Sequence, residues 1–417
     1  MATREQSTLK KLGQSAKIRS ALEFLRADHA RRIEEMKELA LIFGETGKES
    51  LARSPRYREM LVRDGAENCS VDSLGNVTGY IHGKGKDKNR LVLFEAHLDT
   101  VFPEETPLAL REEGDLLYCP GIGDDAGGLA LNLSLLRAIR HAGLVPATTM
   151  MVAGTACEES IGNFKGMRKL CDEYPGIVAS VSIDGGGNER VCYQGVGNKR
   201  IEFIFRGQGG HSWSDYGIPM CMHAMCRAMS AITALELSND PKTTVNVGVV
   251  RGGDTAGAIA SEVRVHVDMR SLDSMSLEAL ERDVIARVQA AVTMENTLRG
   301  KDSDLRVTVE SVAYADIPAA ASPEDSYIVQ TAIAACAMLK LKADTTITAS
   351  TNANIPMSRS IPAVTLGYGG TSKGVHSLNE SFDPTNGHLA AQKALLVLFA
   401  LAGLEGEIMP LVDNGLL

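Results

Sequence analysis

Residues 91–100 read LVLFEAHLDT. Leu91 to Phe94 form an apolar run without helical spacing, the mark of a strand buried on both faces. His97 and Asp99 follow at its carboxyl end, two residues apart, so the period-two geometry of an extended chain turns both side chains to one side. MMVAGTACEES (150–160) repeats the arrangement, with a strand from Met150 to Val152 and then the adjacent carboxylates Glu158 and Glu159. IVASVSIDGG (177–186) does so again and ends at Asp184. In open α/β sheets the ligand crevice lies outside the carboxyl ends of the strands, so these side chains are expected to converge. Asp124, in the Gly-rich turn PGIGDDAGG (120–128), and His376, in GVHSLNE (374–380), extend the set of candidate metal ligands.

The flanking sequence predicts the architecture around these strands. Lys17 to Leu41 carries helical periodicity with charged i,i+4 neighbours, and a helix is expected from Leu129 to Ala142. Strand and helix patterns alternate through Asp184, which argues for a mainly parallel sheet flanked by helices. From Gly197 the pattern changes. RIEFIFRG (200–207), TTVNVGVVRGG (243–253), EVRVHVDMRS (262–271) and LRVTVESVAY (305–314) read as strands, with helices in PMCMHAMCRAMSAITALEL (219–237) and LEALERDVIARVQAAV (277–292). This β-α-β-β-α-β order describes a small sheet-and-two-helix sandwich of ferredoxin-like type. The α/β pattern resumes with SYIVQTAIAACAMLK (326–340), and the apolar stretch Ala394–Leu404 reads as a buried C-terminal helix. The expected organisation is a metal-binding α/β domain from 1–196 and 315–417, interrupted by an inserted α+β domain, 197–314.

Composition narrows the function. At 417 residues the chain exceeds one ordinary core. Its net charge of −9, with Lys and Arg scattered, offers no footprint for nucleic acid or an anionic membrane. The polar start MATREQSTLKKLG has no signal-peptide character, and no apolar stretch reaches the roughly 20 residues that span a bilayer. Eight cysteines without C-x-x-C or framework spacing suggest reduced thiols and the cytoplasm. Cys221 and Cys226 fit core packing on a helix better than a metal site with His223.

The donor set has a chemistry of its own. Mixed imidazole and carboxylate ligands suit zinc, with manganese or cobalt as alternatives. Two divalent ions about 3.5–4 Å apart need a bridging carboxylate, for which Asp124 is the candidate, and they acidify a water for attack at neutral pH. One acid must stay uncoordinated to take and return that water's proton, and either Glu158 or Glu159 fits, the other binding metal. Asp99 is placed to orient His97 through its second ring nitrogen. An isolated H-x-D or E-E pair is ordinarily solvated surface. Five such pieces in order, each at a strand end or Gly-rich turn, carry the two-metal reading.

Taken together, EAHLDT, PGIGDDAGG, ACEES, SIDGG and GVHSLNE resemble the co-catalytic metallohydrolases that include peptidase T, acetylornithine deacetylase, aminoacylase and carboxypeptidase G, from about Leu91 to Asp383. The resemblance implies that His97, Asp124, Glu159, Asp184 and His376 bind two metal ions, with Asp124 bridging and a cis peptide to Asp125. It implies Glu158 as general base and Asp99 as orienter of His97. RGQGGHSW (206–213) resembles the family's lid motif, which implies that His211 polarises the scissile carbonyl in the partner subunit's site and that the inserted domain mediates a homodimer. NVGVVRGG and VDMR imply Asn246 as a substrate contact and Arg270 as a clamp for a substrate carboxylate.

Three positions depart from the family pattern: Ala126 after the D-D pair, Gly257 in GGDTAGAIAS, and Asn352 in TASTNANIP. They leave every ligand and the base in place but are expected to alter substrate recognition. The first expectation is hydrolysis of an amide or peptide C–N bond in a small carboxylate-bearing substrate, a di- or tripeptide or N-acyl amino acid. The second is a nitroanthranilate-type aminohydrolase, in which the same centre displaces an amino group from an electron-poor ring. A non-catalytic binding protein on this fold would be expected to have lost the base or a ligand, and none is lost.

Overall fold

Leu91–His97 forms the middle of the central sheet, and all seven of its residues are buried. In this computed structural model, which describes residues 3–85, 87, 89–299 and 304–416, Thr149–Thr155 and Ile177–Ile183 flank it as parallel neighbours. Ala363–Leu366 adds parallel to Ile177–Ile183. The sheet's edges are antiparallel, with Val77–Ile81 and then Glu67–Val71 on one side and Val191–Cys192 on the other. The near-continuous burial of the four parallel strands follows from helices on both faces, which leave no room for alternating polar residues.

Two apolar helices make most of that cover. Ala126–His141 packs against the Leu91–His97 strand, and His388–Ala402 is buried almost throughout. The expected helix over Lys17–Leu41 is present as two, Ala16–Ala27 and His29–Ala40, with Asp28 between them. The Asp28 carboxylate turns inward to accept hydrogen bonds from Ser134 and Arg137.

The chain divides into two compact units, one of residues 1–195 and 321–417, the other of residues 196–320. The second unit has a four-stranded antiparallel sheet in the order Thr243–Gly252, Glu262–Ser271, Gly197–Arg206, Thr308–Ile317. Helices Cys221–Thr233 and Ser274–Arg299 cover one face, meeting Val263, Val265, Val267 and Met269. The opposite face carries the alternate residues, among them Asp268 and Arg270. The return to the first unit, expected near residue 315, falls later because Thr308–Ile317 pairs along almost the whole of Gly197–Arg206. Cys221 is buried as expected, whereas Cys226 is exposed on the same helix. Among the described residues, no helix is long and apolar enough to cross a membrane.

Candidate metal centre

The parallel strands deliver the donors. His97 is the last residue of its strand, Glu158 and Glu159 lie just past Thr155, and Asp184 follows Ile183. Asp124 sits in the turn before the Ala126–His141 helix, and the Asp124–Asp125 peptide is cis. Asp125 is a structural residue: its carboxylate caps that helix at the Gly128 N–H (3.0 Å) and accepts the His97 N–H (3.1 Å).

Asp124 divides its two carboxylate oxygens between two imidazoles. Oδ1 faces His97 Nε2 at 2.8 Å, and Oδ2 faces His376 Nε2 at 2.9 Å. His376 Nε2 also lies 2.7 Å from Glu159 Oε1. Ligand atoms of His97, Asp124 and Glu159 all fall within 4.8 Å of one another. Asp184 shares a cavity of about 500 Å³ with Asp124.

The electrostatics follow from four acids sharing a small volume with two imidazoles. Burial, reinforced by Asp124, pushes Glu159 up to about 7. Burial also drives Glu158 well above the carboxylate range, with Glu159 and Asp184 adding to it. Burial opposes ionisation of Asp124 too, but hydrogen bonds from His376 and His97 outweigh it and hold that carboxyl low. Hydrogen bonds to Asp124 and Glu159 raise His376 to about 10. Protonated imidazoles thus supply the positive charge between the carboxylates, a role that two divalent cations would fill with the same Nε2 and carboxylate oxygens as ligands. The residues fit such a pair: Asp124 is already a two-sided carboxylate, and His97 Nδ1 donates to the carbonyl oxygen of Asp99 at 3.0 Å, leaving Nε2 to coordinate.

Asp99 orients His97 through its main-chain carbonyl, since its carboxylate lies 3.8 Å from Nδ1. The fully buried carboxylate instead accepts the backbone N–H groups of Glu158 (2.9 Å) and Glu159 (2.8 Å) and the Thr46 hydroxyl (2.9 Å). Two consecutive amides at the end of a strand offer a closer and better aligned partner than a ring edge.

Two further acids went unassigned in the sequence. Glu380 is fully buried and accepts N–H bonds from Gly121, Gly123 and Asp124 at 2.9, 2.8 and 3.1 Å, so it holds the turn that presents the Asp124 carboxylate. Burial, then the charge of Asp124, raises it to about 7. Glu49 accepts the Cys157 N–H at 2.8 Å, behind the Glu158–Glu159 pair. Glu380 ends the GVHSLNE motif, which was its only signal; Glu49 has none.

Asn352 is buried next to Thr351, which lines the cavity. The Asn352 amide donates to Glu95 (3.0 Å) and Thr155 (2.8 Å), so a neutral donor stands where an Asp would face a second buried carboxylate. Ala126 is buried in the first turn of its helix, and Gly257 is exposed.

His211, Asn246 and Arg270 all belong to the second unit. His211 lies in a two-stranded ribbon with Ala258–Ile259, and its Nδ1 accepts the N–H of Trp213 at 3.2 Å. The ring proton therefore resides on Nε2. Arg270 is ion-paired to Asp268 at 2.8 Å, and Asn246 stands opposite Asp268 on the neighbouring strand.

Strand-end acids and imidazoles arranged around a two-sided carboxylate on a parallel sheet define an α/β protein of the metallohydrolase type. The chain matches Peptidase family M20/M25/M40 over residues 93–401 and belongs to that family. It is 25% identical over 221 residues to carboxypeptidase G2 of Pseudomonas sp. (strain RS-16), a match covering 51% of this chain and 52% of that protein. The chain therefore spans about half the length of this curated relative. Its fold is similar to that of a Staphylococcus aureus tripeptidase, with TM-score 0.73 and 21% identity over 89% of this chain and 97% of the other. It is also similar to Bacillus subtilis YXEP, described as a dinuclear metal binding peptidase, with TM-score 0.64 and 16% identity over 90% and 99% of the two chains.

Proposed function

We propose that this protein hydrolyses an amide or peptide C–N bond in a small carboxylate-bearing substrate, a di- or tripeptide or an N-acyl amino acid. The observation that carries the reading is the division of Asp124 between His97 on one side and His376 with Glu159 on the other. His97, Asp124, Glu159, Asp184 and His376 would hold two divalent ions, most simply zinc, with manganese or cobalt suited to the same donors. When bound, such a pair supplies Lewis acidity to the carbonyl and acidifies the attacking water.

The remaining work falls to side chains. Glu158, buried beside the ligands and held by Asp99 through its N–H, accepts the proton of the attacking water and returns it to the leaving nitrogen. His211, with its proton on Nε2, donates to the developing oxyanion from the partner subunit of a homodimer, the 197–314 segment acting as lid. Asn246 and Arg270 bind substrate, Arg270 exchanging part of its Asp268 pairing for a substrate carboxylate. The described cysteines are all free, which supports a cytoplasmic setting.

The test is metal-reconstituted protein assayed by mass spectrometry and ammonia release against di- and tripeptides, N-acyl amino acids and amino-substituted aromatic acids. Cleavage of peptides or acyl amino acids is the expected result. Ammonia from an aromatic acid, with peptides untouched, would replace this reading by the aromatic aminohydrolase, and no turnover of any substrate would reject both.

A further inference from the structure

The cavity beside the metal centre contains one basic residue among its lining, Arg190, six positions after the candidate ligand Asp184. The chain makes room for it. Gly185 has φ of +80°, and a Cβ there would fall 2.6 Å from Arg190 Nη1 and 2.7 Å from Cζ, so the guanidinium lies directly over the glycine. The positive φ favours glycine, and a side chain there would have to displace the guanidinium.

Among the described residues, no hydrogen bond or ion pair of the guanidinium accounts for this placement. Its Nε is buried without a hydrogen-bond acceptor, and no ion pair engages it among the described residues. Asp184 and Asp344 act on it only at longer range. An Arg whose head group is partly desolvated and unpaired is costly unless an anion completes it.

The backbone beneath Arg190 is nevertheless fixed. Lys393, fully buried on the C-terminal helix, donates to the carbonyl oxygens of Asn188 (2.7 Å) and Arg190 (2.8 Å). Main-chain bonds from Asp344 to Glu189 and from Val191 to Asp344 secure the residues on either side. Apart from the candidate ligands Asp124 and Asp184, the rest of the lining is neutral, with the hydroxyls of Thr351, Thr371 and Ser372 and the backbone of Gly185–Gly187.

We propose that Arg190 is the specificity residue of this cavity, receiving a carboxylate on the part of the substrate that enters beside Asp184. The substrate class is then an amide or peptide with an acidic group in this portion, glutamyl- or aspartyl-like, in addition to any carboxylate that Arg270 takes. The inference rests on the C–N hydrolase reading only for the word substrate; the anion site stands on its own geometry.

Two measurements test it, on zinc-reconstituted protein. In the first, glutarate is titrated calorimetrically into wild type, Arg190→Gln and Arg190→Lys. Loss of a charge-assisted pair should weaken glutarate by about 10–100-fold in Arg190→Gln and by less in Arg190→Lys. Thermal unfolding of each variant checks that the fold is retained. Equal glutarate affinity in wild type and Arg190→Gln would overturn the proposal. In the second, matched substrates differing only as Glu against Gln are compared by kcat/KM. Wild type should favour the glutamyl member by about 10–100-fold, and Arg190→Gln should lose the preference. Absence of a wild-type preference would reject the substrate assignment. Arg190-dependent glutarate binding without hydrolysis of any amide would keep the anion site and sink the C–N hydrolase reading; hydrolysis without Arg190-dependent binding would do the reverse.

Discussion

Asp99 illustrates how one carboxylate can set the geometry of a reaction it does not perform. By accepting the N–H groups of Glu158 and Glu159 it ties the proposed base and the proposed ligand to the strand that carries His97. Asp99→Asn keeps the shape but replaces one acceptor oxygen by a donor, so one of the two amides loses its partner. Turnover is expected to fall by about 10–100-fold with zinc content unchanged, measured by steady-state kinetics and elemental analysis on the same preparation. Glu158→Gln is expected to lower kcat by about 10²–10⁴ with metal retained. Near-normal turnover in that variant would remove Glu158 from the role of base.

Three helical segments are joined to a fourth by one buried cation. Arg137, on Ala126–His141, pairs with Asp28 (2.6 Å), Glu35 (2.8 Å) and Asp64 (2.6 Å), which belong respectively to the junction before His29–Ala40, to that helix, and to Arg53–Asp64. All four side chains are buried, so truncating the cation leaves carboxylates desolvated and mutually repelling. Arg137→Leu is expected to destabilise the first unit by about 3–5 kcal/mol, read from denaturant unfolding at neutral pH. Arg31 and Arg63 also touch this cluster from the solvent side, and a loss under 1 kcal/mol would mean that they suffice. Periodicity marked the segments carrying Asp28, Glu35 and Arg137 as helical, whereas the Arg53–Asp64 helix was not singled out. The mutual placement of these segments was not recognisable, because the partners are up to 109 residues apart and each looks like an ordinary surface charge.

Global stability should carry a signature of Lys393. Burial lowers its ammonium to about 8 from a usual value near 10.5. The unfolded chain therefore binds the extra proton between those values, and stability rises as pH increases through that window. The full effect is on the order of 3 kcal/mol, absent below pH 8 and complete above about 10.5. Comparing urea midpoints of wild type and Lys393→Met at pH 7.5, 9 and 10 should show wild type gaining relative to the variant; parallel curves would contradict it. The proposed use of His211 is likewise a property of the assembly. Mixing inactive His211→Ala and Glu158→Gln subunits should restore up to about a quarter of activity if the imidazole acts across a two-fold interface. No recovery in verified mixed dimers would confine His211 to its own chain.

Side-chain periodicity and the short motifs made the architecture and most of the donor set readable along the chain. Apolar runs ending in His97, Glu158–Glu159 and Asp184 announce strand ends in a parallel sheet, and such ends share one edge by geometry. Residue type then limits what those side chains can hold. What periodicity could not supply was partnership across the fold: the Asp99 carboxylate under the base pair, Glu380 beneath Asp124, Asn352 matched to Glu95, and Arg190 laid over Gly185. Each depends on a hydrogen bond or close approach between segments remote in sequence. Local patterns report which face of an element is buried, whereas the partner met by a buried polar group is chosen only when the segments pack and every desolvated donor and charge must find its match.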